Sequence, residues 1–209
     1  CDEYVASKNA QFQPARLATI LEKSRCPKAR LLYYFPHTVD ESQPLESSDQ
    51  LMSSWCGWHN DNGRLTGLTS AMFFDKDGPI IDCPDPNACL YIKSRNGEIV
   101  KASIPKDCLA FQIGEAMQVH SGGLLLATPH CVRAARADQV SRSTLACFMQ
   151  PHWDEPMSVP EGTKAENVLK GTSGEFLPPG VPPLQKRWDG INSDQTFDEF
   201  SQKTFSMYY

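Results

Sequence analysis

The stretch WHNDNGRLTGL, residues 58–68, decides how the rest of the chain is read. His59 and Asp61 stand one residue apart, between Trp58 and Gly63. Alone, such a pair is most simply a solvated turn. In an extended chain, however, residues i and i+2 project to the same side, so this imidazole and carboxylate can grip one metal ion from a strand end. An open mononuclear iron site needs two imidazoles and one carboxylate on one face, with the remaining positions free. The third ligand must come from a distant strand. Of His37, His120, His130 and His152, His130 is the best placed, because TPHCV reads as the start of a strand late in the sheet.

Working outward, the flanking segments are short and β-like. ARLLYYFP (29–36) is apolar, aromatic and ends at a proline, as a strand does. LTGLTSAMFF (65–74) reads as another strand, followed by the turn DKDG (75–78). CLYIKSRNGEIVKASI (89–104) holds two alternating runs joined by Asn96-Gly97, a strong hairpin signal. CLAFQIG, EAMQVHSGG, PHCVRAA and STLACFMQ read as further strands. FQPARLATILEK (12–23) has the spacing of a helix, with Leu17, Ile20 and Leu21 on one side. After Pro151 the chain changes character. FLPPGVPPLQKRW (176–188) is expected to be an extended tail or loop, and Ser193 to cap a last helix anchored by Phe197, Phe200 and Phe205. Many short strands with turns between them predict a mainly β chain with flanking helices, built on a jelly roll or double-stranded β-helix.

Composition bounds the partners. The chain has 209 residues, enough for one domain over 1–209, with a core at about 29–152 and a C-terminal extension at 153–209. The net charge of −5 and the lack of any basic block argue against nucleic acid. No apolar run is long enough to span a membrane, and no signal peptide opens the chain, which begins at Cys1 as a processed or trimmed product would. The eight cysteines are spread singly without a CxxC pair, which argues against a thiolate zinc site. Scattered buried thiols fit a reducing compartment, so an intracellular, cytoplasmic monomer is expected.

Four blocks in order carry a resemblance. QIGEAMQVHSGGLLLATPHCV (112–132) resembles the IGD-x-LQ-x-x-SNG…S-x-x-HRV block of the isopenicillin N synthase-like, 2-oxoglutarate- and Fe(II)-dependent dioxygenases. WHNDNGRLTGL is similar to the family's HTDxGxLTLL, SRSTLACFMQP (141–151) to its RxSxxxFxxP, and LLYYFP (31–36) to its NYYPP. The resemblance implies Fe(II) held by His59, Asp61 and His130, with no catalytic side chain beyond these ligands. It implies 2-oxoglutarate held at its distal carboxylate by Arg142, Thr144 and Tyr34. The implied activity is O2-dependent hydroxylation or oxidation of a small organic substrate, with release of succinate and CO2.

Some positions depart from that pattern. Leu32 replaces an asparagine, Phe35 a proline and Thr144 a serine, and His120 stands where the family has tryptophan or an apolar residue. His120 reads equally as pocket lining or as a buried structural histidine. The turn from His130 to Arg142 is long, and only 31 residues precede Leu32, fewer than in the family. Tyr33, Trp55, Trp58, Cys56 and Cys131 read as packing, Arg133 and Arg136 as solvated, and His37 and His152 as loop residues. The substrate is not encoded in these motifs; loop residues 37–56 and the C-terminal tail are expected to choose it. Alternative readings are an iron-dependent oxidase of the same fold that uses no 2-oxoglutarate, and a non-catalytic metal-binding module. A zinc hydrolase is disfavoured by the absence of an HExxH-type base.

Overall fold

In a computed structural model of the chain, the described residues are 1–36, 54–76, 78–174 and 176–208. The expected loop from 37 to 50, His37 within it, and most of segment 37–56 lie outside them. Along the chain come helices α1 (Asp2–Lys8) and α2 (Arg16–Lys23), then strands β1 (Lys28–Tyr34), β2 (Cys56–His59), β3 (Leu65–Thr69), β4 (Met72–Phe74), β5 (Ile80–Ile81), β6 (Cys89–Lys93), β7 (Ile99–Ala102) and β8 (Leu109–Ile113). Helix α3 (Glu115–His120) follows, then β9 (His130–Arg133), β10 (Ser141–Met149), α4 (Ala165–Val168), a 3-10 turn (Leu184–Lys186) and α5 (Phe197–Tyr208).

The strands form two antiparallel sheets, as a jelly roll requires. The larger has six strands, in the order β5-β4-β10-β3-β8, with β1 also paired to β10. The smaller runs β2-β9-β6-β7. The Asn96-Gly97 hairpin is formed between β6 and β7, with Gly97 at φ +87°, where a side chain would be strained. The expected strand over 65–74 is broken at Ser70-Ala71 into β3 and β4, which pair with different ends of β10.

EAMQVHSGG is a correction. It forms α3, not a strand, and every residue from Glu115 to His120 is buried. Glu, Ala, Met and Gln are helix formers, and burial on all sides erases the helical period by which the eye would find it. The first amides of a helix lack internal partners; here those of Gly114, Glu115 and Ala116 donate to the carbonyls of Arg64, Asp61 and Gly63. The helix start is thereby tied to the loop after β2.

The ends also differ from expectation. α2 begins only at Arg16, where the Asp2 carboxylate, from α1, accepts from the Leu17 and Ala18 amides at 2.8 and 3.0 Å. The last helix is capped not by Ser193 but by Thr196, whose hydroxyl accepts from the Glu199 amide while Glu199 Oε2 accepts from the Thr196 amide at 2.8 Å. Phe197 and Phe200 are buried anchors, but Phe205 is exposed. The proline-rich stretch is irregular yet packed. Leu177 and Val181 join Trp58, Tyr91 and Cys131 in one apolar cluster, and Leu184 and Trp188 join Met157, Phe197 and Phe200 in another. Tyr33, expected in the core, is half exposed on the outer face of the large sheet. Leu31 (69% exposed) on the same strand, and Leu109 (63%) and Phe111 (62%) on β8, are exposed as well. Among the described residues, no helix is long and apolar enough to cross a membrane.

Candidate metal centre

β2 and β9 are antiparallel neighbours, and their register sets His59 directly opposite His130. The two rings lie 4.1 Å apart, centroid to centroid. Asp61 follows just past the end of β2, and its Oδ1 is 3.9 Å from Nε2 of each histidine. The three groups offer one ligand atom each within a 4.8 Å cluster that can hold a metal ion. The residues that spacing singled out are therefore brought together.

Each member is turned into place by its neighbours. His59 Nδ1 lies 2.8 Å from the Gly57 carbonyl, and His130 Nδ1 lies 3.1 Å from the Thr128 carbonyl. A carbonyl only accepts, so His59 Nδ1 carries a proton towards Gly57, whereas His130 Nδ1 and Nε2 also lie 2.7 and 2.9 Å from the Gln112 side-chain amide; in both rings Nε2 faces Asp61. Asp61 Oδ2 accepts from the Thr66 hydroxyl at 2.6 Å and from Gln112 Nε2 at 3.1 Å, which leaves Oδ1 for the histidine side. Burial works to lower the His59 pKa, but the Cys56 thiol 3.8 Å away, Asp61 and the Gly57 carbonyl push it up to about 9. Burial and the His59 charge hold His130 below the usual imidazole range, against the pull of Asp61. Of the two imidazoles, His59 holds the proton when no metal competes.

The residues assigned to the cosubstrate line the same cavity, of about 510 Å3. Tyr34 and Arg142 are cross-strand partners on β1 and β10, as are Leu32 and Thr144. The Arg142 guanidinium lies 4.9 Å from the Tyr34 ring centroid. Arg142 is buried, yet its Nε and Nη1 have no hydrogen-bond partner among the described residues. Burial lowers its pKa and raises that of Tyr34. The Thr144 hydroxyl donates to the Thr69 carbonyl at 3.0 Å.

Other expected roles resolve plainly. His120 is fully buried, and its Nε2 lies 3.0 Å from the Pro156 carbonyl; it is structural and lies outside the cavity lining. Burial drives its pKa well below the ordinary imidazole value. His152 is a surface residue paired with Asp154. Trp58 and Cys131 are buried packing, and Trp55 packs between Tyr34 and Phe73. Cys56 is only partly buried and faces the cavity, and Arg133 is half-buried, not solvated.

The motif reading missed the supports. Thr66 lies inside the quoted LTGL, and Gln112 opens the quoted QIGE block, so alternation along β3 and β8 was the available signal. Asn60 was hidden between the ligands. Its amide donates to Glu115 Oε1 at 3.1 Å, and Glu115 forms a fully buried, two-pronged ion pair with Arg187. That chain of contacts fastens the ligand loop to the proline-rich segment.

No family model matches the sequence, and no curated protein matches it. Several solved structures share the fold. A full-length Neurospora crassa protein in complex with alpha-KG superimposes with a TM-score of 0.55 at 19% identity, covering 88% of this chain and 45% of that one. A 2OG-Fe(II) oxygenase family protein from Caulobacter crescentus gives 0.52 at 19% identity, covering 88% and 46%. JOX2 in complex with 2OG, Fe and JA gives 0.55 at 17% identity, covering 96% and 46%. The chain thus has the jelly-roll fold of 2-oxoglutarate and iron oxygenases, and spans less than half the length of these matched chains.

Proposed function

We propose that the protein is a non-haem Fe(II)- and 2-oxoglutarate-dependent oxygenase acting on a small organic molecule. The observation that carries this reading is the shared orientation of His59 and His130. A backbone carbonyl two residues earlier holds each Nδ1, and both Nε2 atoms are aimed at one oxygen of Asp61. Two imidazoles and one carboxylate gathered on one side, with the other side open to a cavity, suit iron with exchangeable positions.

The cosubstrate fit rests on Arg142. Two guanidinium nitrogens buried without partners are costly unless an anion fills the place, and a planar guanidinium matches a carboxylate. Tyr34 fixes the guanidinium plane, and Thr144 sits across from Leu32 at the same level. When bound, iron and 2-oxoglutarate supply an oxidation of the substrate coupled to formation of succinate and CO2. The chain's own contribution is to hold His59, Asp61 and His130 on one side, to anchor the distal carboxylate, and to line part of the rest with Leu68, Leu90, Val132, Ala146 and Phe148. The neighbours bound to alpha-KG or 2OG support the same assignment.

An oxidase of the same fold that uses no 2-oxoglutarate is the second reading. It is favoured by apolar Leu32 in the cavity wall and by the Thr144 hydroxyl already committed to Thr69. Anaerobic loading with Fe(II) and then 2-oxoglutarate separates the two. A weak visible charge-transfer band is expected, absent in His59→Ala. Iron binding with no band overturns the 2-oxoglutarate assignment, and no iron binding overturns the reading altogether.

A further inference from the structure

β1 alternates. Tyr34 and Leu32 face the cavity, and so do Arg30 and Lys28 further back along the same strand. From Tyr34 to Arg30 is roughly 13 Å by the rise of a strand, which lies beyond the reach of a five-carbon diacid anchored at Arg142. The strand that helps seat the cosubstrate at one end thus carries two cations into the other end of the cavity.

Among the described residues no carboxylate pairs with Lys28 or Arg30; each lies over an aromatic face instead. Arg30 is 5.4 Å from the Phe148 ring centroid and Lys28 is 5.3 Å from that of Trp153. Such contacts position a cation without cancelling its charge. Asp61 is the sole carboxylate among the described residues that line the cavity. Under the oxygenase reading, the charges of the metal, Asp61, Arg142 and a doubly charged cosubstrate cancel. Among the described residues, Lys28 and Arg30, both exposed, are then left without a compensating carboxylate in the cavity wall. Beside this pair the wall is apolar: Phe148 and Ala146 are the cross-strand partners of Lys28 and Arg30, Leu68 pairs with Ala146, and Phe205 lines the cavity as well.

We infer that the substrate is an organic acid with an apolar body, its carboxylate held by Arg30 and Lys28 and its body laid along Leu68, Ala146 and Phe148. The inference rests on the oxygenase reading for the occupancy of the Arg142 end. Cavities of about 300–1,000 Å3 hold drug-sized ligands, so this one takes a cosubstrate and a second small molecule together.

The test uses matched acids and amides on the full chain loaded with Fe(II) and 2-oxoglutarate under anaerobic conditions. The probes are phenylacetate and phenylacetamide, 3-phenylpropionate and its amide, and 1-naphthylacetate and its amide, titrated by calorimetry. At least one acid is expected to bind tenfold or more tightly than its amide. Arg30→Gln and Lys28→Gln should each weaken that acid about tenfold while leaving amide and 2-oxoglutarate binding unchanged. Acids and amides binding alike, no acid binding below millimolar concentration, or variants that bind the acid normally would each overturn the inference while the oxygenase reading stands. Failure to bind iron or 2-oxoglutarate in the first step would instead overturn both.

Discussion

Tyr34 and Arg142 face each other across β1 and β10, and the ring holds the guanidinium 4.9 Å from its centroid. Arg142→Gln removes the charged fork without a large change in volume. Hydrogen bonds to charged groups contribute about 1.5–3 kcal/mol, so 2-oxoglutarate affinity should fall roughly 10- to 150-fold while iron affinity holds. Titrating the charge-transfer band in both proteins checks this. Equal affinities would remove Arg142 from the cosubstrate site.

Metal uptake should release a proton. His59 keeps its proton up to about pH 9, and a metal needs the neutral imidazole. Below that pH, affinity for Fe(II) or a surrogate such as Co(II) should rise with pH, by up to about tenfold per unit. It should level off above. Potentiometric or calorimetric titration in two buffers reads the proton directly, and Cys56→Ala should shift the plateau to lower pH.

His120 gives acid sensitivity of folding. Its folded pKa lies well below the ordinary value because it is buried beside Arg64. The unfolded chain therefore binds a proton that the folded chain refuses. Stability is full above about pH 6.5 and falls as pH drops below it, by up to about 1.4 kcal/mol per unit. Urea unfolding at pH 7 and 5.5 should show the loss, and His120→Asn should reduce it.

Glu115 and Arg187 are both buried, and removing one strands the other. Arg187→Met should cost about 3–5 kcal/mol in thermal or denaturant unfolding. Adding Glu115→Gln should recover much of it, because an uncharged pair needs no partner of opposite sign. Additive losses would mean that the pair is not coupled.

Two glycines near the ligands should behave oppositely. A Cβ on Gly114 would strike the Gly63 and Asp61 carbonyls, whereas one on Gly57 meets open space. Gly114→Ala should lower both stability and metal affinity, and Gly57→Ala should change neither greatly. Circular dichroism melts and metal titration separate them.

Much of the centre was legible because its signals are local. His59 and Asp61 stand out by their i, i+2 spacing, although Asp61 lies just past the end of β2, and Asn96-Gly97 writes its own hairpin. What stayed hidden depends on distant partners. α3 looks like a strand until the carbonyls of residues 61–64 receive its first amides. The start of α2 is set by Asp2, and the proline-rich segment is ordered by Trp58, Met157 and Glu115, contacts that no window of neighbouring residues contains. Gln112 and Thr66 act through Asp61, so their role appears only once the carboxylate has been placed.

The position of β10 also bears on how the molecule is made. β1 lies along one edge of this strand, and β3 and β4 share the other. During synthesis these three strands leave the ribosome well before their common partner. Until residues 141–149 emerge, the large sheet has no centre, and Leu31 sits on a strand awaiting it. Such non-local pairing folds slowly and leaves edges open to other chains. Nascent chains stalled before residue 141 should therefore be the form that chaperones bind most strongly, and the large sheet should not close beside His59, Asp61 and His130 until residues 141–149 have emerged.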